Sequence, residues 1–428
     1  APPQYAFPGA AAACARTAWK PENTNVYLKC GGIFAGMTSI VSQIKVCLKM
    51  ALDAGVHLVL PTIPLRDSTD LTNFNFFNGS ANMDFDRWFD EAHLRDAMAR
   101  ACPQLKIRKI ADFQGLGDAS TELAAAAAAA AESGEKMAVA HEWNFDINTA
   151  PGLKLLAGYF WVGRPFRTWF EHELLRERFL SHSTPKTPAA AAAPGATIIN
   201  IVSQFLVFRI TDDATGRELA LWNDLSAMVR FNEATRAITT KVEARIDQPY
   251  IGVHFRVEKD NIWSSYDDQL KQDLDALDKL WTRYGGAGSG AAKENKQQQQ
   301  QQQGAHGLKK PLVYLACGDE EQIKGFEAAA ALRGWNVTSK YDIVKNDAET
   351  LRQLKELPFD FQGAVDLGIM LKSWFFVGIT GSAFSSTVAN LRDSTGRYRG
   401  SSLQFPDDDH ARTHLFNDGD AAAYACCL

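Results

Sequence analysis

The stretch VYLKCGGIFAGMTSIVSQIKVCLKMALDAGVHLVLP, residues 26–61, decides the fold class. Val26–Cys30 is a short apolar run, followed by the glycine-rich turn Gly31-Gly32-Ile33-Phe34-Ala35-Gly36. From Ser39 to Ala54 the apolar residues Ile40, Ile44, Cys47 or Leu48, and Ala51 recur at helical spacing. Gly55 stops that helix, and Val56–Leu60 is a second apolar run closed by Pro61. Strand, glycine turn, helix and strand in that order predict a βαβ unit.

The pattern repeats in the second half. Tyr250–Phe255 predicts a strand, and Ser265–Tyr284 a helix whose Leu270, Leu274, Leu277 and Trp281 share a face. A strand at Leu312–Ala316, a helix over Asp319–Arg333 and a strand at Trp335–Thr338 follow. Next come a short helix at Asn346–Leu354 with an Asn-x-x-Glu cap, the apolar helix Gly363–Leu371, a strand at Trp374–Val377 and a helix at Thr387–Leu391. Ile198–Ile201 supplies a further strand of the first half. Strands alternating with helices argue for parallel sheets, hence an α/β chain of two doubly wound, Rossmann-like domains facing across a cleft. Residues 1–20 read as a flexible stem, 21–245 as the N-terminal domain and 246–428 as the C-terminal domain. The runs Ala124–Ala131, Pro185–Gly195 and Gly285–Gly307 are low-complexity punctuation, the last an insertion rich in glutamine.

Composition narrows the function. A 428-residue chain that is 46% hydrophobic and 22% charged is globular and long enough for two or three domains. A net charge of −5 disfavours nucleic acid as a partner. The sequence has no apolar run of membrane-spanning length and no signal-peptide pattern at its start, so it predicts either a cytosolic protein or one whose anchor lay upstream. Cysteines at 14, 30, 47, 102, 317, 426 and 427 form no CxxC pair, which disfavours a zinc ribbon and leaves pairing and redox compartment open. Sequons at Asn78 and Asn336 are compatible with secretion.

Three segments are candidates for chemistry. The turn Gly31–Thr38 has phosphate-loop spacing, but Met37 stands where the lysine belongs, which disfavours a nucleoside triphosphatase. The turn with Gly31, Gly32 and Gly36 is then either structural only or an approach of backbone N–H groups to an anion. His254-Phe255-Arg256-Val257-Glu258-Lys259-Asp260 crowds ionisable residues onto a strand end, with His254, Arg256 and Glu258 on one face. It is either a surface ion-pair cluster or an arginine fork for phosphate with a carboxylate that acts as base or holds the arginine. Ser382, Phe384, Ser385 and Ser386 lie at a strand-to-helix turn, where hydroxyls are phosphate donors or ordinary caps. Asp366 is either an exposed helix residue or a nucleoside contact. Asp84-Phe85-Asp86 offers a rival metal-binding D-x-D.

Taken together these stretches resemble the GDP-fucose protein O-fucosyltransferase superfamily, particularly its plant-type and fungal members. The resemblance rests on GGIFAGM (31–37), on Phe89-Asp90-Glu91-Ala92-His93-Leu94, and on Arg230-Phe231-Asn232 leading into His254 to Asp260. Tyr314-Leu315-Ala316-Cys317-Gly318-Asp319-Glu320 and Ser382–Arg392 complete it. Phe34-Ala35 departs from the family's asparagine-bearing turn. The resemblance implies a GT-B fold and an inverting glycosyltransferase that takes GDP-fucose as donor without a metal cofactor. Its acceptor would be a protein or glycan hydroxyl, and its compartment the ER or Golgi lumen, behind a removed anchor, or the outside of the cell. Carried over, Arg256 binds the β-phosphate with Ser385 and Ser386 beside it, His254 contacts sugar or ribose, and Asp366 the nucleoside. Glu258 or Asp260 would be the base. The same scaffold with another nucleotide sugar, such as a rhamnose donor, and a catalytically silent binding protein are the competing functions.

Overall fold

A computed structural model describes residues 6–67, 71, 82–114, 116, 136–146, 155–156, 160–161, 167, 170–171, 195–202, 207–208, 215–258, 265–284, 309–379, 382–394 and 402–405. The alanine run 124–131, the insertion 285–307, and Lys259, Asp260, Asn78, Cys426 and Cys427 lie outside the described residues. The chain divides into two compact units between Ala234 and Thr235.

The first unit is built on a sheet that has, among the described residues, six parallel strands. They are β1 (Val26–Gly31), β2 (His57–Val59), β3 (Ile107–Arg108), β4 (Phe113–Gln114), β5 (Met137–Asp146) and β6 (Ala196–Val202), in the order β3-β2-β1-β6-β5-β4. β1 is central and buried almost throughout, which is why its sequence is a continuous apolar run rather than an alternating one. Helix α2 (Met37–Ala54) follows it and ends on Gly55, whose φ of 65° lets its N–H turn back to Leu52.

A helix facing solvent on one side would leave its lysines outside, yet Lys45 and Lys49 of α2 are buried. Lys45 bonds Ser226 at 2.9 Å and lies over the Trp222 ring, while Lys49 pairs with Asp53 and Glu218. α2 is therefore covered on a second side by the helix Arg217–Met228, which the one-face periodicity of its sequence did not show.

The expected flexible stem is corrected. Pro8–Arg16 is helix α1, started by a proline that has no N–H to leave unpaired. Ala10 N–H donates to the buried Asp224 carboxylate at 2.9 Å, and Cys14 is disulfide-bonded to Cys102. The small residues that looked like a stem are what allow α1 to lie close against the helix bearing Asp224.

Two stretches quoted separately from the sequence form one clasp. Phe89 and Phe231 make a β-bridge with their rings tilted against each other, Arg230 grips Asp90 at 2.8 Å, and Asp90 also caps helix α3 (Glu91–Ala101). In the rival D-x-D, Asp86 pairs with Lys109 at 3.2 Å and Phe85 between the two aspartates is buried. Among the described residues no His/Cys/Asp/Glu group is arranged to hold a metal ion. Among them, too, no helix is long and apolar enough to cross a membrane. A second disulfide, Cys30–Cys47, ties the end of β1 to α2 around the glycine turn.

The second unit carries the parallel sheet β7 (Tyr250–His254), β8 (Leu312–Ala316), β9 (Asn336–Thr338), β10 (Phe375–Ile379) and β11 (Ser402–Phe405), in the order β9-β8-β7-β10-β11. Its core gathers Val253, Phe255, Leu277, Leu315, Phe326 and Val377 from strands and helices alike. The helix Glu233–Glu243 falls almost wholly in this unit, ahead of the 245/246 boundary read from the sequence, because Thr239 packs on Gly368 and Lys241 bonds Gln353. The helix expected from Asn346 runs Ala348–Glu356 and is capped by Asp347, whose carboxylate takes the Thr350 N–H. The chain leaves β7 in one direction through β8 and β9, then returns to the other side of β7 for β10 and β11. The strand order thus reverses between β7 and β10, and in sheets of this kind that point, at the carboxyl ends of the strands, is where ligands sit.

Candidate functional site

His254 is the last residue of β7 and stands at the reversal. It is 6% exposed. Its Nδ1 lies 2.8 Å from Ser385 Oγ on the helix Ala383–Ser394, and its ring packs at a tilt against Phe384, the ring centroids 4.4 Å apart. Ser385 Oγ also accepts the Ile379 N–H at 3.0 Å. Gly378 makes this approach possible, since a Cβ there would stand 2.6 Å from Ser385 Oγ. Ser382 caps the same helix, its Oγ taking the Ser385 N–H at 3.5 Å.

Burial first, then the charges of Arg256 and Lys340, push the His254 imidazole down to about 3. It is neutral at physiological pH. With the Ser385 oxygen already accepting from Ile379, the simplest closure has its hydroxyl donating to Nδ1. The imidazole proton then rests on Nε2, available to donate to a ligand oxygen.

Arg256 follows two residues later. Its backbone is clasped on both edges by the Gln269 amide, which takes the Arg256 N–H and donates to the Arg256 carbonyl at 2.9 Å. Its guanidinium Nη1 meets Glu258 Oε2 at 2.6 Å, and the Arg256 side chain keeps 21% of its surface exposed against 8% for Glu258. Glu258 Oε1 accepts the Gly318 N–H at 3.0 Å. Both oxygens of Glu258 are therefore engaged, which is the geometry of a clamp on Arg256; of the two roles open to it in the sequence, these contacts describe the orienting one. Of the three residues that the sequence put on one face, Arg256 and Glu258 bond each other while His254 meets Ser385 and Phe384, and Asp260 lies outside the described residues.

Asp366, read from the sequence as either an exposed helix residue or a nucleoside contact, is buried, which removes the first of those readings. Its two oxygens accept from Tyr314 Oη at 2.6 Å and Lys340 Nζ at 2.6 Å. Lys340 also donates to the Cys317 carbonyl at 3.1 Å. Burial alone would lower Lys340, but Asp366, with Tyr341 and Cys317 adding to its effect, outweighs it and holds the ammonium above the usual lysine range. Burial pushes the Cys317 thiol up to about 12, which keeps it in the protonated form. Arg392, also buried, fastens its helix to the end of the preceding one through Met370 and Ser373.

Lys340, Gln269 and the Gly318 N–H escaped the sequence reading. A lone lysine between Ser339 and Tyr341 carries no motif, and lysine is exposed by default. In the first unit, the glycine turn holds Gly32 at φ 69° and Ala35 at φ 102°, the latter a strained position for a residue with a Cβ. Gly36 caps α2 beside Arg66, whose Nη2 would lie 3.5 Å from an added Cβ. The turn is thus built as predicted, with a guanidinium next to it.

A profile of the family described as GDP-fucose protein O-fucosyltransferase matches residues 26–395. None of the curated proteins compared matches the chain. Among solved structures, POFUT1 in complex with GDP-fucose is similar at a TM-score of 0.44 and 13% identity, covering 91% of this chain and 99% of that one. Arabidopsis thaliana FUT1 with GDP gives 0.43 and 8%, covering 96% and 77%. The fucosyltransferase NodZ from Bradyrhizobium gives 0.40 and 11%, covering 89% and 96%.

Proposed function

The chain belongs to the GDP-fucose protein O-fucosyltransferase family and is a glycosyltransferase, and from that premise we propose that it moves fucose from GDP-fucose to a hydroxyl of a protein or glycan. The observation that carries this reading is the position of Arg256. A partly exposed guanidinium, oriented by a buried carboxylate, stands just beyond the strand end that borders the sheet's reversal. An arginine fork there suits the diphosphate of a nucleotide sugar.

The acceptor oxygen attacks the anomeric carbon, the bond to the β-phosphate oxygen breaks, and GDP leaves with the electron pair. Attack from the face opposite GDP inverts that carbon. Arg256 takes up the charge developing on the leaving phosphate, with no metal ion needed for it. Neutral His254 donates through Nε2 to a sugar or ribose oxygen, and Ser385 fixes its tautomer. The Ser382-led helix start offers backbone donors to the phosphates. Glu258 orients Arg256, which leaves Asp260 as the sequence's other candidate for the base. The separate parallel sheets of the two units are what a GT-B enzyme requires of each half. Two disulfides support an oxidising compartment, the ER or Golgi lumen or the cell exterior.

Calorimetry of GDP binding with and without chelator, beside thermal shifts with a panel of nucleotide sugars, tests the reading. GDP should bind equally in both, and GDP-fucose should raise the melting temperature most. Binding abolished by chelator, or a larger shift with a donor lacking guanosine, overturns it.

A further inference from the structure

A single peptide unit connects the buried ion pair of the second unit to the guanidinium at its surface. The peptide joining Cys317 to Gly318 leaves the end of β8 with its carbonyl accepting from Lys340 at 3.1 Å and its N–H donating to Glu258 at 3.0 Å. Glu258 passes the line on to Arg256 at 2.6 Å. In the other direction Lys340 is held by Asp366 and Asp366 by Tyr314, each at 2.6 Å. The line runs from a lysine side chain that is 1% exposed to an arginine side chain that is 21% exposed.

The geometry of the peptide admits little slack. A Cβ at Gly318 would stand 2.4 Å from the Phe359 ring and 3.2 Å from Glu258 Oε1, so the N–H and the carboxylate are packed into register. A cation on the carbonyl oxygen polarises the whole amide and strengthens the bond its N–H makes to Glu258. A buried ion pair is a weak source of stability compared with apolar residues of the same volume. Stability alone therefore gives a poor account of Lys340 and Asp366, whereas the line leading outward from Lys340 gives a direct one.

Building on the reading of Arg256 as the phosphate fork, we propose that Lys340 is a positioning residue for donor turnover: acting through the Cys317–Gly318 peptide and Glu258, it fixes the orientation in which Arg256 grips the donor's diphosphate. Lys340 touches no substrate. Its effect on turnover passes through Glu258, and that route is testable.

The experiment is a double-mutant cycle on the full chain, with GDP release from GDP-fucose as the rate and the melting temperature read beside it. Lys340→Met should slow turnover by about tenfold to a hundredfold, the equivalent of one charge-assisted hydrogen bond. Glu258→Gln keeps an acceptor for the Gly318 N–H but removes the anion facing Arg256, and should slow turnover comparably. If Lys340 works through Glu258, the double variant is no slower than Glu258→Gln by more than about twofold. Losses that multiply overturn the proposal and make Lys340 a structural residue. Should Lys340→Met fail to fold, Lys340→Met with Asp366→Leu replaces the ion pair by apolar side chains and serves as the lysine leg of the same cycle. Arg256→Lys, measured alongside, separates the two readings. If it turns over normally, the phosphate fork itself is refuted; if it is impaired while the cycle is additive, the proposal alone falls.

Discussion

Replacing Arg256 by lysine keeps the positive charge and removes the fork. The backbone of residue 256 stays clasped by Gln269, and the new ammonium can still reach a carboxylate whose other oxygen is anchored on the Gly318 N–H. The folded state therefore loses at most about 1 kcal/mol, the range of a partly exposed ion pair. A phosphate held through two parallel N–H groups loses one of them. At about 1.5–3 kcal/mol for a charge-assisted bond, turnover should fall by roughly tenfold to 150-fold. Arg256→Ala is a poorer probe, since it strands the Glu258 carboxylate, 8% exposed, without its cation. Breaking such a pair costs about 3–5 kcal/mol when it is fully buried. The assay is GDP release from GDP-fucose, with GDP affinity by calorimetry and the melting temperature of the same sample. Turnover within about twofold of the native enzyme, against the tenfold loss expected, refutes the phosphate role. A collapsed melting temperature in the lysine variant would instead make Arg256 a structural residue.

Two further outcomes follow from the same contacts. His254 has a folded pKa of about 3 against an ordinary 6.5, so between those values the unfolded chain binds the extra proton and stability falls as the pH drops through the window. His254→Asn should flatten the dependence of unfolding free energy on pH by up to about 1.4 kcal/mol per pH unit, and parallel curves for variant and native chain would show that the imidazole is not held neutral. The Cys30–Cys47 bridge closes a loop with a sequence separation of 17 around the glycine turn. Replacing both cysteines by serine should cost about 3 kcal/mol, read as a melting temperature lower by roughly 6–12 °C, and an unchanged melt would mean the pair does not constrain the unfolded chain.

The alternation of apolar strands with amphipathic helices was legible from the sequence, as were the glycine turn and the crowded strand end from His254 to Glu258, because each is a pattern of near neighbours. A strand buried on both faces must be a continuous apolar run, and Tyr250–His254 and Leu312–Ala316 are such runs. The family was legible for the same reason, since its motifs are contiguous. Local pattern is also where the reading failed. The alanines at 10–13 look like a stem until Asp224, far along the chain, caps the helix they form. Lys45 and Lys49 lie off the apolar face that the sequence shows for α2, and only the tertiary structure covers them with Trp222 and Glu218. Only the strand order, with β10 returning to the far side of β7, brings Ser385 to His254 and puts both at the sheet's reversal. Lys340 is the clearest case. An isolated lysine is expected in water, and what keeps it inside is a carboxylate 26 residues on and a carbonyl 23 residues back. Burying a charge is favourable only when its partners are already in place, and those partners come from the residue just after β8 and from the helix Phe359–Met370, which tertiary packing alone brings together.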